Sequence, residues 1–221
     1  MTVERLKIFN TESIGIFALA TDKYVFVPLN SQESSKRLIR EKTGTEVVEL
    51  GIGGISAVGA MVAANNNGVM LPYNADDEDV LNLKHRGFNV IRSRSKYNAL
   101  GNLLAVNSRV GFASPILSDA FLDAAEDILG VELFRVTIGG LNTIGSALVL
   151  TDKGFACHPE TSEEELELVR ARTRLDGARV TVNGGYPYIR SGMISNSSSV
   201  LVGYATTGIE MAEIENALGI A

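Results

Sequence analysis

Apolar and polar positions fall in blocks along this chain, and the blocks recur. An apolar run, Ile14-Gly-Ile-Phe-Ala-Leu-Ala20, leads into a polar turn at Thr21-Asp22-Lys23. A second apolar run, Tyr24-Val-Phe-Val27, is closed by Pro28. A charged stretch with helical spacing, Ser31 to Lys42, ends at Gly44, and a third apolar segment covers Thr45 to Leu50. This order predicts strand, turn, strand, helix, strand, which is one ββαβ unit.

The same order is written five times. Gly15, Gly59, Gly101, Gly145 and Gly192 open the units, 44, 42, 44 and 47 residues apart. Polar turns follow at Thr21-Asp22-Lys23, Asn65-Asn66-Asn67, Asn107-Ser108-Arg109, Thr151-Asp152-Lys153 and Asn196-Ser197-Ser198. Pro28, Pro72, Pro115 and Pro159 stand just after the second strand, where a residue without an N–H ends ladder pairing. The fifth unit has Gly203 there, after a hairpin read as two residues shorter. Gly44, Gly87, Gly130, Gly177 and Gly219 close the helices. A fixed period in this range is the signature of a repeat architecture.

Each part of the unit has a physical reason. The runs Ile16-Phe-Ala-Leu19, Met61-Val-Ala-Ala64, Leu103-Leu-Ala-Val106 and Ala147-Leu-Val-Leu150 are apolar on both parities, as strands covered on both faces are. Helix starts carry capping-box spacing, Ser162 with Glu165 and Thr207 with Glu210. One apolar stripe, Phe121, Ala124, Ala125, Ile128 and Leu129, marks the third helix, and Leu166, Val169 and Thr173 a weaker one on the fourth. After Gly219 the fifth unit has no third strand, whereas Arg5-Leu-Lys-Ile-Phe9 is a strand without a unit. Pairing the two would close a ring and remove exposed sheet edges. The expectation is an α/β fold: a single domain over residues 1–221, a five-bladed α-β propeller with pseudo-fivefold symmetry and helices outward. Its repeats would be roughly 11–54, 55–98, 99–141, 142–189 and 190–221 plus 4–10.

Composition narrows the function classes. Apolar residues make up 45% of the 221, enough for a core, and the net charge of −6 argues against non-specific nucleic-acid binding. A lone cysteine, Cys157, excludes an intramolecular disulfide and suits a reducing cytosol. The start of the chain lacks a signal-peptide layout. Leu50 to Ala75 is uncharged, but its apolar part is shorter than the ~20 residues of a spanning helix. It is read as two buried strands.

Several motifs in order give the chain a family likeness: Arg92 before Ala99-Leu-Gly-Asn102; Asn67-Gly-Val-Met-Leu-Pro-Tyr-Asn74; Val131-Glu-Leu-Phe-Arg135; His158-Pro-Glu-Thr-Ser162; and Thr181-Val-Asn-Gly-Gly185 followed by Ser191-Gly-Met193. Over its whole length the chain resembles the translation initiation factor 6 family, ribosome anti-association factors, in its archaeal form. The resemblance implies the five-bladed pentein propeller, in agreement with the repeat argument. It also implies a cytoplasmic, non-enzymatic, monomeric factor with no cofactor or metal and neither membrane nor DNA as partner. Such a factor sits on the joining face of the large ribosomal subunit, beside ribosomal protein L14 (uL14) and the sarcin–ricin loop, and blocks the small subunit. The C-terminal tail of eukaryotic members is not expected.

Residues that break the repeat are free to serve function. After the opening glycines stand Ile16, Ala60, Asn102, Ser146 and Met193, so Asn102 is polar where three other blades are apolar. Two readings stand: a buried amide satisfying strand-edge backbone, or, on the family motif, a ribosome contact. In blade two, Phe88 to Tyr97 alternates Arg92, Arg94 and Lys96, which on a strand share one side. Beside Tyr97 and Asn98, that row could meet RNA phosphate or an acidic chain end, or be a solvated face balanced by carboxylates. Arg92 is also carried by the resemblance. Tyr186-Pro-Tyr188 and Arg190 read as a long loop.

Two other classes compete with this one. The same propeller hosts guanidine-modifying enzymes with a nucleophilic cysteine, but Cys157 and His158 are adjacent on a strand and point apart, and His85 lies near a helix end. Cys157 is read as packing, and Gly51-Ile-Gly-Gly54, without a lysine, as an inter-blade turn. A propeller-shaped protein-interaction scaffold remains the alternative that composition alone does not reject.

Overall fold

Five three-stranded sheets stand around a common axis in the computed structural model, which describes residues 3–220. Blade one is Leu19–Ala20, Tyr24–Pro28 and Glu46–Leu50; blade two is Ala63–Ala64, Val69–Leu71 and Val90–Arg92. Blade three is Leu104–Val106, Val110–Ala113 and Glu132–Arg135; blade four is Leu148–Leu150, Phe155–Cys157 and Gly177–Arg179. Blade five joins Met193–Ser195 and Val200–Gly203 to Val3–Leu6. In every blade the inner strand runs antiparallel to the middle one, and the outer strand parallel to it. The N-terminal strand thus closes the ring, with Val3 opposite Val200. It ends at Leu6 rather than Phe9, because Phe9 and Asn10 take φ of 52° and 59° in a tight turn bridging Ile8 to Thr11.

The core lies in the five seams between blades. Each long helix (Glu33–Thr43, Asp77–His85, Asp119–Leu129, Glu163–Thr173, Gly208–Ala217) packs its apolar face against the preceding blade. Leu83 of the second helix joins Phe26 and Val48 of blade one. Phe121, Leu122, Ala125 and Leu129 of the third join Met70 of blade two. Leu166 and Val169 of the fourth join Phe112 of blade three. A blade without its neighbours would expose these faces to water, so stability is shared around the ring.

Both capping boxes form at the predicted residues. Gly44 and Gly130 cap their helices in the left-handed conformation, and Gly87 and Gly219 follow theirs with φ of 84° and 62°. Gly177 departs from the expectation. Arg174 takes the left-handed cap at φ 57°, while Gly177 begins the outer strand, where a Cβ would run into Phe155.

The apolar runs read as first strands begin inside single helical turns, Ile14–Phe17, Val58–Met61, Leu100–Leu103 and Ile144–Ala147, with a 3-10 turn, Ile189–Gly192, at the same place in blade five. Ile16 and Phe17 are thus helical, as are Met61, Leu103 and Ala147, and the strands follow them. These five turns meet in a ring around the axis, and there the glycines find their reason. A Cβ on Gly15, Gly59, Gly101 or Gly145 would overlap the backbone carbonyl of Arg190, Gly15, Gly59 or Gly101, respectively, on the neighbouring turn. The succession places Arg190, not Gly192, at the fifth position. Ile14, Val58, Leu100, Ile144 and Ile189, each fully buried, precede it in the five blades. Counted from Arg190, the fifth hairpin is as long as those of blades one and two. Among the described residues no helix is long and apolar enough to cross a membrane.

Candidate functional site

The two ends of the ring differ in chemistry. At one end the hairpin turns join in a circuit of hydrogen bonds. The Ser197 N–H donates to Asp22 Oδ1 (2.7 Å), the Asp22 N–H to Asn66 Oδ1 (3.0 Å) and Asn66 Nδ2 to Ser108 Oγ (2.7 Å). The Ser108 N–H donates to Asp152 Oδ1 (3.0 Å), and the Asp152 N–H to Ser197 Oγ (3.1 Å). Asn65 and Asn107, buried at the first turn position, reach the next blade through the carbonyls of Asn107, Leu129 and Thr151. This end is committed to holding blades together.

The other end carries the single helical turns and the segments by which the chain leaves each blade. Three of the exits following blades one to four are left-handed turns: Gly53-Gly54, Gly139-Gly140 and Asn183-Gly184-Gly185. A carboxylate at the third position of the next helix grips each one. Asp79 accepts from the Gly53 N–H at 3.1 Å. Glu165 accepts from the N–H groups of Gly139 and Gly140 and from the Thr137 hydroxyl. Glu210 accepts from Gly184, Gly185 and Thr181 in the same way, and from the Thr207 N–H. Burial alone would raise the pKa of Glu210, but the donors of Thr207, Gly185, Thr181 and Gly184 outweigh it and hold it at about 2. In Glu165 burial opposes a similar set, led by Thr137, and the net shift is again downward. From sequence alone these glutamates are legible only as helix caps.

Blade two leaves differently. Its outer strand ends at Arg92, so Arg94 and Lys96 lie beyond the ladder and the three do not share a strand face as expected. The outer strands of blades three and four stop at the equivalent residues, Arg135 and Arg179, so the end of the ladder belongs to the repeat. The Ser93 N–H still donates to the Leu71 carbonyl, and Ser93 is buried, but from there the segment turns on its own hydroxyls. The Ser95 N–H donates to Ser93 Oγ and the Tyr97 N–H to Ser95 Oγ. No left-handed turn forms, and the third position of the next helix is Phe121, which has no acceptor to offer. A groove of about 480 Å³ opens at this seam, lined by Arg92, Arg94, Ser95, Ser118, Ala120 and Phe121 among others.

The five candidate residues have distinct surroundings. Arg92 donates to the Ala75 carbonyl (2.9 Å) and pairs with Asp77 (2.8 Å). Arg135 does the same with Leu117 and Asp119, and Arg179 with Thr161 and Glu163, while Arg5 reaches the Thr206 carbonyl. Arg92 is therefore a repeated residue that joins the outer strand to the helix start. Arg94 and Lys96 are exposed and make no ion pair among the described residues. Lys96 Nζ lies 5.2 Å from the Tyr97 ring centroid, and Tyr97 is partly buried against the seam core. Asn102 stands on the single turn that this segment leads into, half-buried, with no side-chain hydrogen bond among the described residues. Its reading as a buried, satisfied amide does not hold. All five lie on the same end of the ring.

Cys157 is fully buried; burial pushes its thiol pKa up, and Sγ lies 3.5 Å from the Ala178 carbonyl. His158 Nδ1 accepts the Glu160 N–H at 3.1 Å, and His158 stacks edge-on to Tyr188. A thiol raised in this way and an imidazole already engaged do not make a nucleophile and its base. The sequence reading missed Arg190, which lies inside the ring and donates to the Gly59 carbonyl across it (3.3 Å). Aligning Ile189 with the other buried residues before the glycines would have found it.

A model described as the eIF-6 family matches residues 3–217 of the chain. A protein named translation initiation factor 6 from Pyrococcus horikoshii is 37% identical over 225 residues, covering 99% of each chain. Another of that name from Staphylothermus marinus is 36% identical over 222 residues, covering 99% of this chain and 98% of its own. A solved structure of a mutant DDAH from Pseudomonas aeruginosa, complexed with citrulline, aligns with a TM-score of 0.43 at 12% identity, over 94% of this chain and 75% of that one.

Proposed function

The chain belongs to the eIF-6 family of translation initiation factors, and on that premise we propose that it binds the large (50S) ribosomal subunit and sterically keeps the small subunit from joining. The docking site is the ring end that carries the blade-two exit. Its partners are ribosomal protein L14 (uL14) and the sarcin–ricin region of the ribosomal RNA. The observation that carries this reading is the pair Arg94 and Lys96, exposed and without an ion pair among the described residues, on a chain of net charge −6. Such charges meet RNA phosphate or an acidic chain end without first breaking an internal bond. Arg92, already tied to Asp77 and Ala75, holds the segment in place. Tyr97 supplies a flat apolar edge beside Lys96, and the amide of Asn102 is open to an outside partner.

The mechanism needs no bond to be made or broken. A rigid ring that covers about 1,200–2,000 Å² of total interface is bound specifically, and its body then occupies the space of the second subunit. Sucrose-gradient sedimentation of archaeal subunits with the purified protein tests this at two salt concentrations. The expected outcome is co-migration with the large subunit only, with fewer joined ribosomes. Arg94→Glu with Lys96→Glu should weaken co-migration tenfold or more. Absence from every ribosomal fraction at low salt as well as high would overturn the proposal.

A further inference from the structure

Two exits meet at blade five, straight across the ring from the seam between blades two and three. The exit of blade four supplies Asn183 and Tyr186, and that of blade five supplies Asn10, Thr11, Glu12 and Ser13, to the walls of an open hollow of about 350 Å³. This lies toward the lower end of the range for ligand sites, about 300–1,000 Å³, and leaves room for one long side chain. The walls are fixed from behind. Glu210 grips Gly184 and Gly185, while Asn183 Nδ2 donates to the Glu12 carbonyl (3.1 Å) and Asn183 Oδ1 accepts from the Thr206 hydroxyl (3.2 Å). Tyr186 rests on Tyr188, ring centroids 5.7 Å apart, and Tyr188 on His158.

The groups that face outward are unused. The side chains of Asn10, Glu12, Ser13 and Tyr186 make no hydrogen bond among the described residues. The one cation paired with Glu12 among them is Lys7, whose Nζ stands 4.0 Å from Oε1, beyond hydrogen-bond reach, and 5.1 Å from the Tyr204 ring centroid. Glu12 and the ring of Tyr186 are both about half exposed, at 43% and 48%. A free carboxylate repels phosphate and attracts a cation. Beside an aromatic ring it suits a guanidinium best, which donates to both carboxylate oxygens and lies flat on the ring. An ammonium meets either only as a point charge.

We infer that this hollow takes an arginine side chain from a protein partner, between the carboxylate of Glu12 and the ring of Tyr186; resting on the proposed docking to the large subunit, that partner is a basic ribosomal protein. The two sides of this end of the ring are then opposite in sign, Arg94 and Lys96 on one and Glu12 on the other. Contacts of opposite sign across the ring set its rotation on the partner, which a single basic patch leaves open.

Amide NMR of the full chain, with N-acetyl-arginine amide as the probe, tests the hollow by itself. Shifts at Glu12, Asn183 and Tyr186 are expected, half-saturated at roughly 1–10 mM, as suits one side chain without the rest of a partner. N-acetyl-glutamine amide should cause none, and Glu12→Gln should weaken the arginine probe about two- to fivefold. Absent shifts, or equal shifts with both probes, would overturn the inference irrespective of ribosome binding. A second arm identifies the partner. The chain carrying p-benzoylphenylalanine in place of Tyr186 is sedimented with archaeal large subunits and irradiated. A cross-link to an arginine-bearing segment of a ribosomal protein is expected, and Glu12→Lys should weaken co-migration about tenfold or more. A cross-link to ribosomal RNA, or co-migration unchanged by Glu12→Lys, would overturn the inference and leave large-subunit binding standing. A wild-type chain that fails to co-migrate would overturn that docking instead, and the probe titration would still decide the hollow.

Discussion

The exits of blades two and four occupy the same place in the repeat and are held in opposite ways. After blade four, Asn183-Gly184-Gly185 folds into a left-handed turn, and the buried carboxylate of Glu210 collects two of its N–H groups. After blade two, Ser93 to Asn98 turns on its own serine hydroxyls beside Phe121, and Asn98 Oδ1 is buried without a partner among the described residues. The first arrangement spends its polar groups inward. The second leaves Arg94 and Lys96 turned outward, and stability there rests on apolar packing of Phe121 and Tyr97. One repeat can thus be both scaffold and contact surface, because the carboxylate clamp is left out of the blade-two seam.

Losing the clamp should cost the most. Glu210→Ala would strand the N–H groups of Gly184, Gly185 and Thr207 and should lower stability by about 3 kcal/mol in chemical denaturation. A loss below about 1 kcal/mol would mean that the clamp is ornamental. The second effect follows from proton linkage. The carboxyl of Glu210 is held at about 2, below the ordinary value of 4.5. The folded state therefore binds this proton less readily than the unfolded chain does. Its contribution is full above pH ~4.5 and fades as pH falls towards 2. Glu165 is shifted in the same direction. Denaturation free energy should fall with acid over that window, and Glu210→Gln should flatten the slope. An unchanged slope would remove Glu210 from the acid response.

Amide hydrogen exchange sharpens the contrast without a mutation. The N–H groups of Gly184 and Gly185 should exchange at least tenfold more slowly than those of Arg94 and Lys96. Equal protection would mean that the blade-two exit is tied down by contacts other than its own hydroxyls. The smallest effect is expected where the proposed contact lies. Arg94→Ala and Lys96→Ala should each change stability by less than about 0.5 kcal/mol, while Arg92→Ala should lower it by about 1 kcal/mol through the lost Asp77 and Ala75 bonds.

The repeat could be read from the chain because backbone geometry enforces its punctuation. Pro72, Pro115 and Pro159 stand within two residues of the end of the middle strand, Pro28 is the last residue of its own and still faces Leu50, and four ring glycines admit a neighbour's carbonyl. What the sequence hid has physical causes too. A run apolar on both parities does not distinguish a helical turn from a strand, which hides the single turns of blades one to four at the starts of their apolar runs. Arg190 was hidden because glycine identity pointed to Gly192, whereas the feature shared by the five blades is burial of the residue before it. Arg92 looked exceptional because its equivalents are scattered. Arg135 and Arg179 lie in strands without a basic row, Arg5 comes at the other end of the chain, and blade one reverses the charges with Lys36 and Glu49. The candidate surface was legible as a departure from the repeat, but its cause, a missing acceptor at Phe121, needs the neighbouring helix in view.

The pairing of Val3–Leu6 with Val200–Gly203 also fixes an order of events during synthesis. The strand made first waits, with its edge unpaired, until nearly two hundred further residues have emerged. Closing so long a loop adds only a logarithmic entropy cost, but it makes the last contact the slowest to find. A nascent chain cut short before Val200 has four outward helices and an open sheet edge, and such edges invite aggregation. The ring thus closes only after Val200–Gly203 has been made, and a copy cut short before it lacks the shape on which exclusion of a second subunit would depend.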